Sequence, residues 1–265
     1  MNTLLEIATT AARDAGKEIL ALYSTTDFER KVDGSPLTIA DTRSYEVLLE
    51  HLVKTGIQIL SEESGTVPIP YPTQMWIIDP LDGTKDFLNK TNDFSVMVGL
   101  LENGRPTLGV VYAPALDTLY YAEKGTGAFV EKNGVTKKLR VGTRDSSNLR
   151  YIRSGNQVTK EMGAVAEELN ALRNPRGSIG IKSGLLGEEF GDFFSSWGAY
   201  GEWDICAPEI IALEAGGKVT DCNGETIFYG TANHKVTQGA VFSNGACHAR
   251  VIEAIQKVKA TGPIL

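Results

Sequence analysis

The chain has 265 residues, 42% hydrophobic and 22% charged, with 26 Lys and Arg against 33 Asp and Glu. That composition is globular and excludes disorder, collagen and coiled coil. A net charge of −7 argues against a nucleic-acid or anionic-membrane surface, since both need clustered cations to neutralise phosphate, but a small phosphorylated ligand is allowed because a bound cation reverses the local field.

At roughly 150 residues per domain the length suits one large domain or two lobes on a shared core. The expected lobes are 1–145 and 146–265, divided in the polar stretch Gly142 to Asn148. Cys206, Cys222 and Cys247 are odd in number and lack CxxC spacing, so they read as small buried apolar side chains in a reducing compartment. No stretch approaches the ~20 apolar residues of a membrane span, and the N-terminus has no basic n-region before an apolar run. The expected location is cytoplasmic.

In chain order, Leu4, Ala8, Ala11, Ala12, Ala15, Ile19, Leu22 and Tyr23 share one helical face, with Thr3 and Glu6 at capping-box spacing. A second helix is predicted from Thr38, with Asp41 three residues on, to a stop at Gly56; Lys31 to Pro36 between them reads as a turn. The period then shortens. Ile57 to Leu60 and Met75 to Ile78 are strand-like and end in Glu62, Glu63 and Asp79. Phe94–Leu101, Thr107–Tyr112, Thr118–Ala122 and Ala128–Glu131 form an antiparallel meander with hairpins at Asn103-Gly104 and Asn133-Gly134. Beyond it alternation returns: strand Tyr151–Arg153, helix Thr159–Leu172, strand Ser178–Ile181, a helix from Trp203 to Gly216, strands Lys218–Thr220 and Gly239–Phe242, and helix Ala246–Lys259. The fold class is α+β or α/β, in layers.

The chemistry concentrates in Glu62, Glu63 and Asp79-Pro80-Leu81-Asp82-Gly83-Thr84, each group following a strand-like run. Carboxylates at strand ends point into a crevice, and several converging there repel unless something cationic sits among them. Mg²⁺ fits, since it takes oxygen ligands and keeps water positions, whereas the near absence of His and Cys disfavours zinc. A rigid Pro turn brings two carboxylates and the Leu81 carbonyl to one side, and a Gly83 turn opening a helix at Thr84 aims backbone N–H groups at an anion. Singly, each acid is also an ordinary turn or cap residue, as Asp204 is at the start of its helix.

Trp76-Ile-Ile-Asp-Pro-Leu-Asp-Gly-Thr-Lys-Asp-Phe87, preceded by Glu62-Glu63-Ser64 and followed by Trp203-Asp204-Ile-Cys-Ala-Pro and Glu214-Ala-Gly-Gly217, resembles the signature regions of the inositol monophosphatase superfamily. Asp82-Gly-Thr-Lys85 and Gly109-Val-Val-Tyr-Ala-Pro114 are most similar to its bacterial CysQ-like 3′(2′),5′-bisphosphate nucleotidase branch. The resemblance implies an α+β fold, a layered α/β/α/β/α sandwich of the sugar-phosphatase type. It implies that Glu62, Asp79 and the Leu81 carbonyl hold one Mg²⁺, that Asp79, Asp82 and Asp204 hold a second, and that a third, weaker ion lies near Glu62. Thr84, bonded to Asp41, would position and help deprotonate the attacking water; the Gly83 and Thr84 amides would cradle the scissile phosphate. Glu62, Leu81, Asp82 and Asp204 would thus face the substrate as well as metal. Lithium inhibition is a further implication.

Specificity rests on residues farther out. Tyr151-Ile-Arg-Ser-Gly155 is similar to the family's Ser-Arg-Ser-His, with Arg153 and Ser154 retained and Gly155 in place of the His. Lys182 falls where the nucleotidase branch carries a Lys, and a cation there would hold a second phosphate; otherwise it is a surface Lys. Ser195-Ser196 stands where the branch has Pro-Arg, and Trp197 where inositol-specific relatives carry a Glu, which favours stacking a base over gripping a polyol. His51, His234 and His248 show no metal spacing, and Lys137, Lys138, Arg140, Arg144 and Arg150 read as a solvated loop face. The resemblance implies adenosine 3′,5′-bisphosphate as the substrate, in a clearing step of sulfate assimilation. An inositol or sugar monophosphatase is the enzyme alternative, and a non-catalytic protein- or RNA-binding regulator the alternative of another class. The intact acid set argues against the last, since buried like charges are costly without their ions. Oligomeric state is not legible.

Overall fold

Apolar periodicity builds the outermost layer first. The computed structural model describes residues 3–24, 28–30, 36–64, 67, 69–146, 148–155, 159–231 and 233–261. Helix α1 (Thr3–Ala21) buries Leu5, Ala8, Ala11, Ala12, Ala15 and Ile19 along one face, with Thr3 as its first helical residue rather than its cap. Strands β1 (Phe28–Arg30) and β2 (Pro36–Thr38) pair antiparallel; most of the turn expected at Lys31 to Pro36 lies outside the described residues. Thr38 and Asp41 make the expected capping box at the start of α2 (Ile39–Leu52), and the chain turns at Gly56 with φ 71°.

A seven-stranded sheet follows in sequence order: β3 (Gln58–Ser61), β4 (Gln74–Asp82), β5 (Ser95–Glu102), β6 (Arg105–Ala113), β7 (Thr118–Glu123), β8 (Gly127–Lys132) and β9 (Val135–Lys138). The short helix α3 (Thr84–Leu88) leaves it after β4. Only the β3–β4 pair is parallel. Asn103-Gly104 and Asn133-Gly134 carry positive φ at both residues, the backbone that tight hairpins need.

A second, five-stranded sheet has the order β11-β10-β12-β16-β14, from β10 (Arg150–Arg153), β11 (Leu172–Pro175), β12 (Phe193–Ser196), β14 (Lys218–Thr220) and β16 (Ala240–Ser243). A ribbon pairs β13 (Tyr200–Gly201) with β15 (Lys235–Val236). Helices α5 (Ile179–Gly187) and α6 (Glu202–Glu214) lie between the two sheets, α1 and α2 cover the outer face of the first, and α4 (Lys160–Glu168) and α7 (His248–Ala260) form the far layer. The expected α/β/α/β/α layering is present.

Two expectations fail locally. The helix from Thr159 ends at Glu168, and Leu172 instead opens β11. The predicted strand Ser178–Ile181 is the start of α5, capped by the Ser178 hydroxyl on the Ile181 N–H at 3.0 Å. Nearly every residue of α5 is buried, so its apolar run has no polar face to reveal a helical period.

Glycine sets how closely α6 approaches the first sheet. Gly99 on β5 and Gly109 on β6 face one another across the strands, and α6 lies on the pair. A Cβ at Gly109 would stand 2.5 Å from Ile210 Cγ2 and 2.6 Å from the Ala207 carbonyl; one at Gly99 would stand 2.6 Å from Cys206 Sγ. Gly109→Ala is therefore expected to cost about 1–3 kcal/mol by overpacking. Gly163→Ala in α4, where a Cβ meets open space, should gain roughly 0.5–1 kcal/mol. Urea unfolding of the two variants checks both signs.

Candidate active site

The register of β3 against β4 sets Ser61 beside Ile78, so the turn bearing Glu62 leaves the sheet next to Asp79. In a regular strand Asp79 and Asp82, three residues apart, would point to opposite faces. They do not, because the β4–β5 register shifts by one residue between Asp79, opposite Met97, and Asp82, opposite Ser95. The extra residue at Pro80-Leu81 returns Asp82 to the side of Asp79. Ser44 Oγ donates to the Pro80 carbonyl at 2.6 Å and ties this bulge to α2.

Asp204 arrives from the other side, in the first turn of α6, where its Oδ2 accepts the Gly201 N–H at 2.7 Å. It is the third residue of the helix, with Gly201 at the cap position. Oxygens of Asp79, Asp82 and Asp204 all lie within 4.8 Å of one another. Glu62 stands outside this group, close enough for its charge to act on Asp79 and Asp82.

Burial first, then Glu62, Asp82 and Asp204, push the Asp79 carboxyl well above its ordinary range, against the single Leu81 N–H it accepts at 2.9 Å. Asp82 is also raised by burial, opposed by hydrogen bonds from Ser178 Oγ and from the Gly180 N–H at 3.0 Å and by Lys182. All of these bonds fall on Asp82 Oδ2. Asp82 Oδ1 and Asp79 Oδ2 take no hydrogen bond from any described residue. An oxygen-only donor set with free carboxylate oxygens and uncompensated negative charge fits a hard divalent cation such as Mg²⁺.

Gly83, φ 90°, makes the turn into α3; a Cβ there would meet the Asp93 carbonyl at 2.8 Å. Thr84 Oγ1 lies 3.3 Å from Asp41 Oδ1 and 3.2 Å from the Leu81 carbonyl, either of which accepts its proton. Asp41 is buried, its Oδ2 pinned by the Thr38 N–H and hydroxyl, each at 2.7 Å.

A cleft of ≈ 400 Å³ beside these groups is lined by Glu62, Asp82, Gly83, Thr84, Lys85 and Asp204 together with Tyr151, Ser154, Met162, Ser195, Ser196 and Tyr200. Lys182, on α5, also lines the cleft. It is no surface residue: only 8% of it is exposed, its Nζ makes no ion pair among the described residues, and it lies 5.7 Å from the centre of the Phe194 ring. Burial lowers its pKa, opposed by Asp82, Asp86, Asp93 and Asp204.

Trp197 does not line the cleft. Its ring packs on the core of the second sheet, with Lys259 Nζ 5.7 Å from its centre, so the base-stacking role expected of it is withdrawn. Lys137, Lys138, Arg140 and Arg144 are exposed, as expected of a solvated face, whereas Arg150 is half-buried; it and Arg144 both pair with buried Asp192. The three cysteines are buried, as expected.

Sequence reasoning missed Ser178 and Gly180, which orient Asp82, and Tyr200 on the cleft wall. Ser178 holds φ 51°, a conformation costing a non-glycine residue roughly 1–3 kcal/mol and concentrated at functional sites. Its sequence signal was that of a helix cap, a Ser ahead of an apolar run.

The inositol monophosphatase family model matches residues 1–260. This chain belongs to the inositol monophosphatase family. Within the family, it is 34% identical to the 3′(2′),5′-bisphosphate nucleotidase CysQ of Salmonella typhimurium over 85% of this chain and 94% of that one, and 35% identical to CysQ of Aggregatibacter actinomycetemcomitans over 85% and 87%. Among solved structures, the Thermotoga maritima IMPase superposes with a TM-score of 0.84 at 29% identity, covering 98% of this chain and 99% of that one. CysQ from Bacteroides thetaiotaomicron, titled a bacterial member of the family, gives 0.80 at 29% over 92% and 98%. No helix among the described residues is long and apolar enough to cross a membrane.

The raised carboxylates give a pH test with a defined sign. A folded-state pKa above the unfolded value of about 4 stabilises at low pH, and that contribution is lost as pH rises through the folded value. In EDTA the wild-type Tm should fall between pH 5 and 7.5 more than that of Asp79→Asn. At pH 7.5 the variant should melt about 3 °C or more higher. Adding Mg²⁺ should raise the Tm of the wild type alone, as calorimetry reads.

Proposed function

We propose that this chain is a Mg²⁺-dependent phosphatase that hydrolyses the 3′-phosphate of adenosine 3′,5′-bisphosphate to AMP and phosphate. The bisphosphate nucleotidases among its relatives support the substrate class. Lys182 is the observation that carries the reading: a buried ammonium without an ion-pair partner among the described residues, in the cleft the acids open into, is a counter-ion for a second phosphate. A monoester of one phosphate would leave it without a close counter-ion.

Glu62, Asp79, the Leu81 carbonyl, Asp82 and Asp204 would hold two or three Mg²⁺. When bound, the ions neutralise the phosphoryl oxygens and acidify an attacking water. The chain's own residues supply the geometry. A Thr84 hydroxyl that donates to Asp41 Oδ1 turns its lone pairs to the cleft, where it accepts a hydrogen bond from water and orients it for in-line attack. Asp41 takes up positive charge developing on that hydroxyl, and its pinned Oδ2 keeps Oδ1 aimed at Thr84. The Gly83 and Thr84 N–H groups lie at the start of α3, where the first turn leaves donors without helical acceptors, and they cradle the scissile phosphate. Catalysis on this reading is positioning and charge neutralisation.

A second reading, an inositol or sugar monophosphatase, is favoured by one observation: with Trp197 turned away, the Ser195 and Ser196 side of the cleft is hydroxylic and suits a polyol. Phosphate release from adenosine 3′,5′-bisphosphate and from inositol 1-phosphate, with Mg²⁺ and with or without lithium, separates the two. The first reading expects a higher kcat/KM for the bisphosphate and inhibition by lithium; the reverse preference selects the second.

Lys182→Ala should raise KM for the bisphosphate about 10–100-fold, the loss of a charged hydrogen bond of roughly 1.5–3 kcal/mol, and leave KM for a monophosphate nearly unchanged. Equal effects on both would remove Lys182 from the second-phosphate site. Asp82→Asn should abolish turnover with the circular dichroism spectrum retained.

A further inference from the structure

Glu202 is fully buried in the first turn of α6, two residues before Asp204, and the proposed chemistry does not use it. Its Oε1 accepts the Thr231 N–H at 2.9 Å and the Thr231 hydroxyl at 3.0 Å, and its Oε2 accepts the Tyr71 hydroxyl at 2.7 Å. Tyr71 Oη is also 2.7 Å from His234 Nδ1, and His234 Nε2 is 3.3 Å from the Val67 N–H. The donors settle the direction. Val67 N–H can only donate, so Nε2 accepts; the neutral ring then carries its proton on Nδ1 and donates to Tyr71 Oη, whose own proton goes to Glu202. His234 closes the circuit through its carbonyl, which accepts the Glu202 N–H at 2.9 Å.

This chain of bonds ties the turn that presents Asp204 to residues far from it in sequence. Val67 and Tyr71 come from between β3 and β4, while Glu202 lies on the helix turn that presents Asp204. The β13–β15 ribbon, with Gly201 opposite Lys235, anchors the same turn beside His234.

We propose that Tyr71, His234 and Glu202 are positioning residues that hold the turn bearing Asp204 and thereby set the affinity of the site for divalent cation. The inference rests on the metal reading above. Partners behind metal ligands typically carry 10–100-fold in affinity, because a ligand held at the wrong distance pays to reach the ion.

Tyr71→Phe removes one hydroxyl that serves two bonds and keeps the ring. Tyr229→Phe is the matched control: its hydroxyl donates to buried Glu209 at 2.6 Å, the same kind of bond on the same helix, but farther along it from Asp204. Mg²⁺ binding to each whole protein is measured by calorimetry without substrate, beside the metal-free Tm. Tyr71→Phe is expected to weaken Mg²⁺ about tenfold. Tyr229→Phe should lower Tm to a similar extent and leave Mg²⁺ affinity within twofold. If Tyr71→Phe does not fold, His234→Asn, which suits the φ of 52° at that position and is too short to reach Tyr71, replaces it with the same expectation. Unchanged Mg²⁺ affinity in the Tyr71 or His234 variant, or equal weakening in the Tyr229 control, overturns the positioning role with the metal reading intact. A wild type that does not bind Mg²⁺ overturns the metal reading, and the inference with it.

Discussion

Asp79, Asp82 and Asp204 bring oxygens within 4.8 Å of one another, and each pair of full charges at that range repels by about 3–4 kcal/mol at an effective dielectric of 20. Three such pairs together approach the whole net stability of an ordinary domain, roughly 5–15 kcal/mol. The protein meets this repulsion in two ways: the acids take up protons, as the raised Asp79 and Asp82 carboxyls indicate, or a cation sits among them. The rest of the fold holds these groups together against that force.

Three elements meet at the cluster, each through a device that the layers make available. Strand β4 contributes two acids to one side only because its pairing with β5 slips at Pro80-Leu81. Helix α6 delivers Asp204 because opposed glycines on β5 and β6 let it settle onto the sheet. Helix α5 brings Ser178 and Gly180 to one oxygen of Asp82, leaving the other without a donor among the described residues, and it carries Lys182 into the cleft. The middle layer of the sandwich thus supplies Asp204 to the acid cluster and, on the proposed reading, the cation that would answer a second phosphate.

Legibility in the sequence followed the strength of the local signal. The acids themselves were readable, because Glu62 and Asp79 end apolar runs and Asp82-Gly83-Thr84 punctuates a turn. So were α1, the capping box of α2 and the hairpins of the meander, where one face or one dipeptide decides the structure. Helix α5 was not readable as a helix, since a segment buried on every side has no period to detect. Lys182 therefore passed from a plausible surface residue to a buried one only when its neighbours were in place. Trp197 failed for another reason: position along a chain says nothing about which way a ring turns just beyond the end of β12. The two bonds of Tyr71 in the Tyr71, His234 and Glu202 circuit join residues 131 and 163 positions apart, and the circuit has no local signature at all.

The central claim is that the three aspartates, repelling one another across less than 5 Å, are a divalent-cation site. Crystals grown with Mn²⁺, in place of Mg²⁺, test it most directly through an anomalous difference map. The account predicts a strong peak bonded to oxygens of Asp79, Asp82 and Asp204, with a further peak toward Glu62. A map with no anomalous density among these carboxylates, at a concentration where Mn²⁺ raises the Tm of the protein, would contradict it.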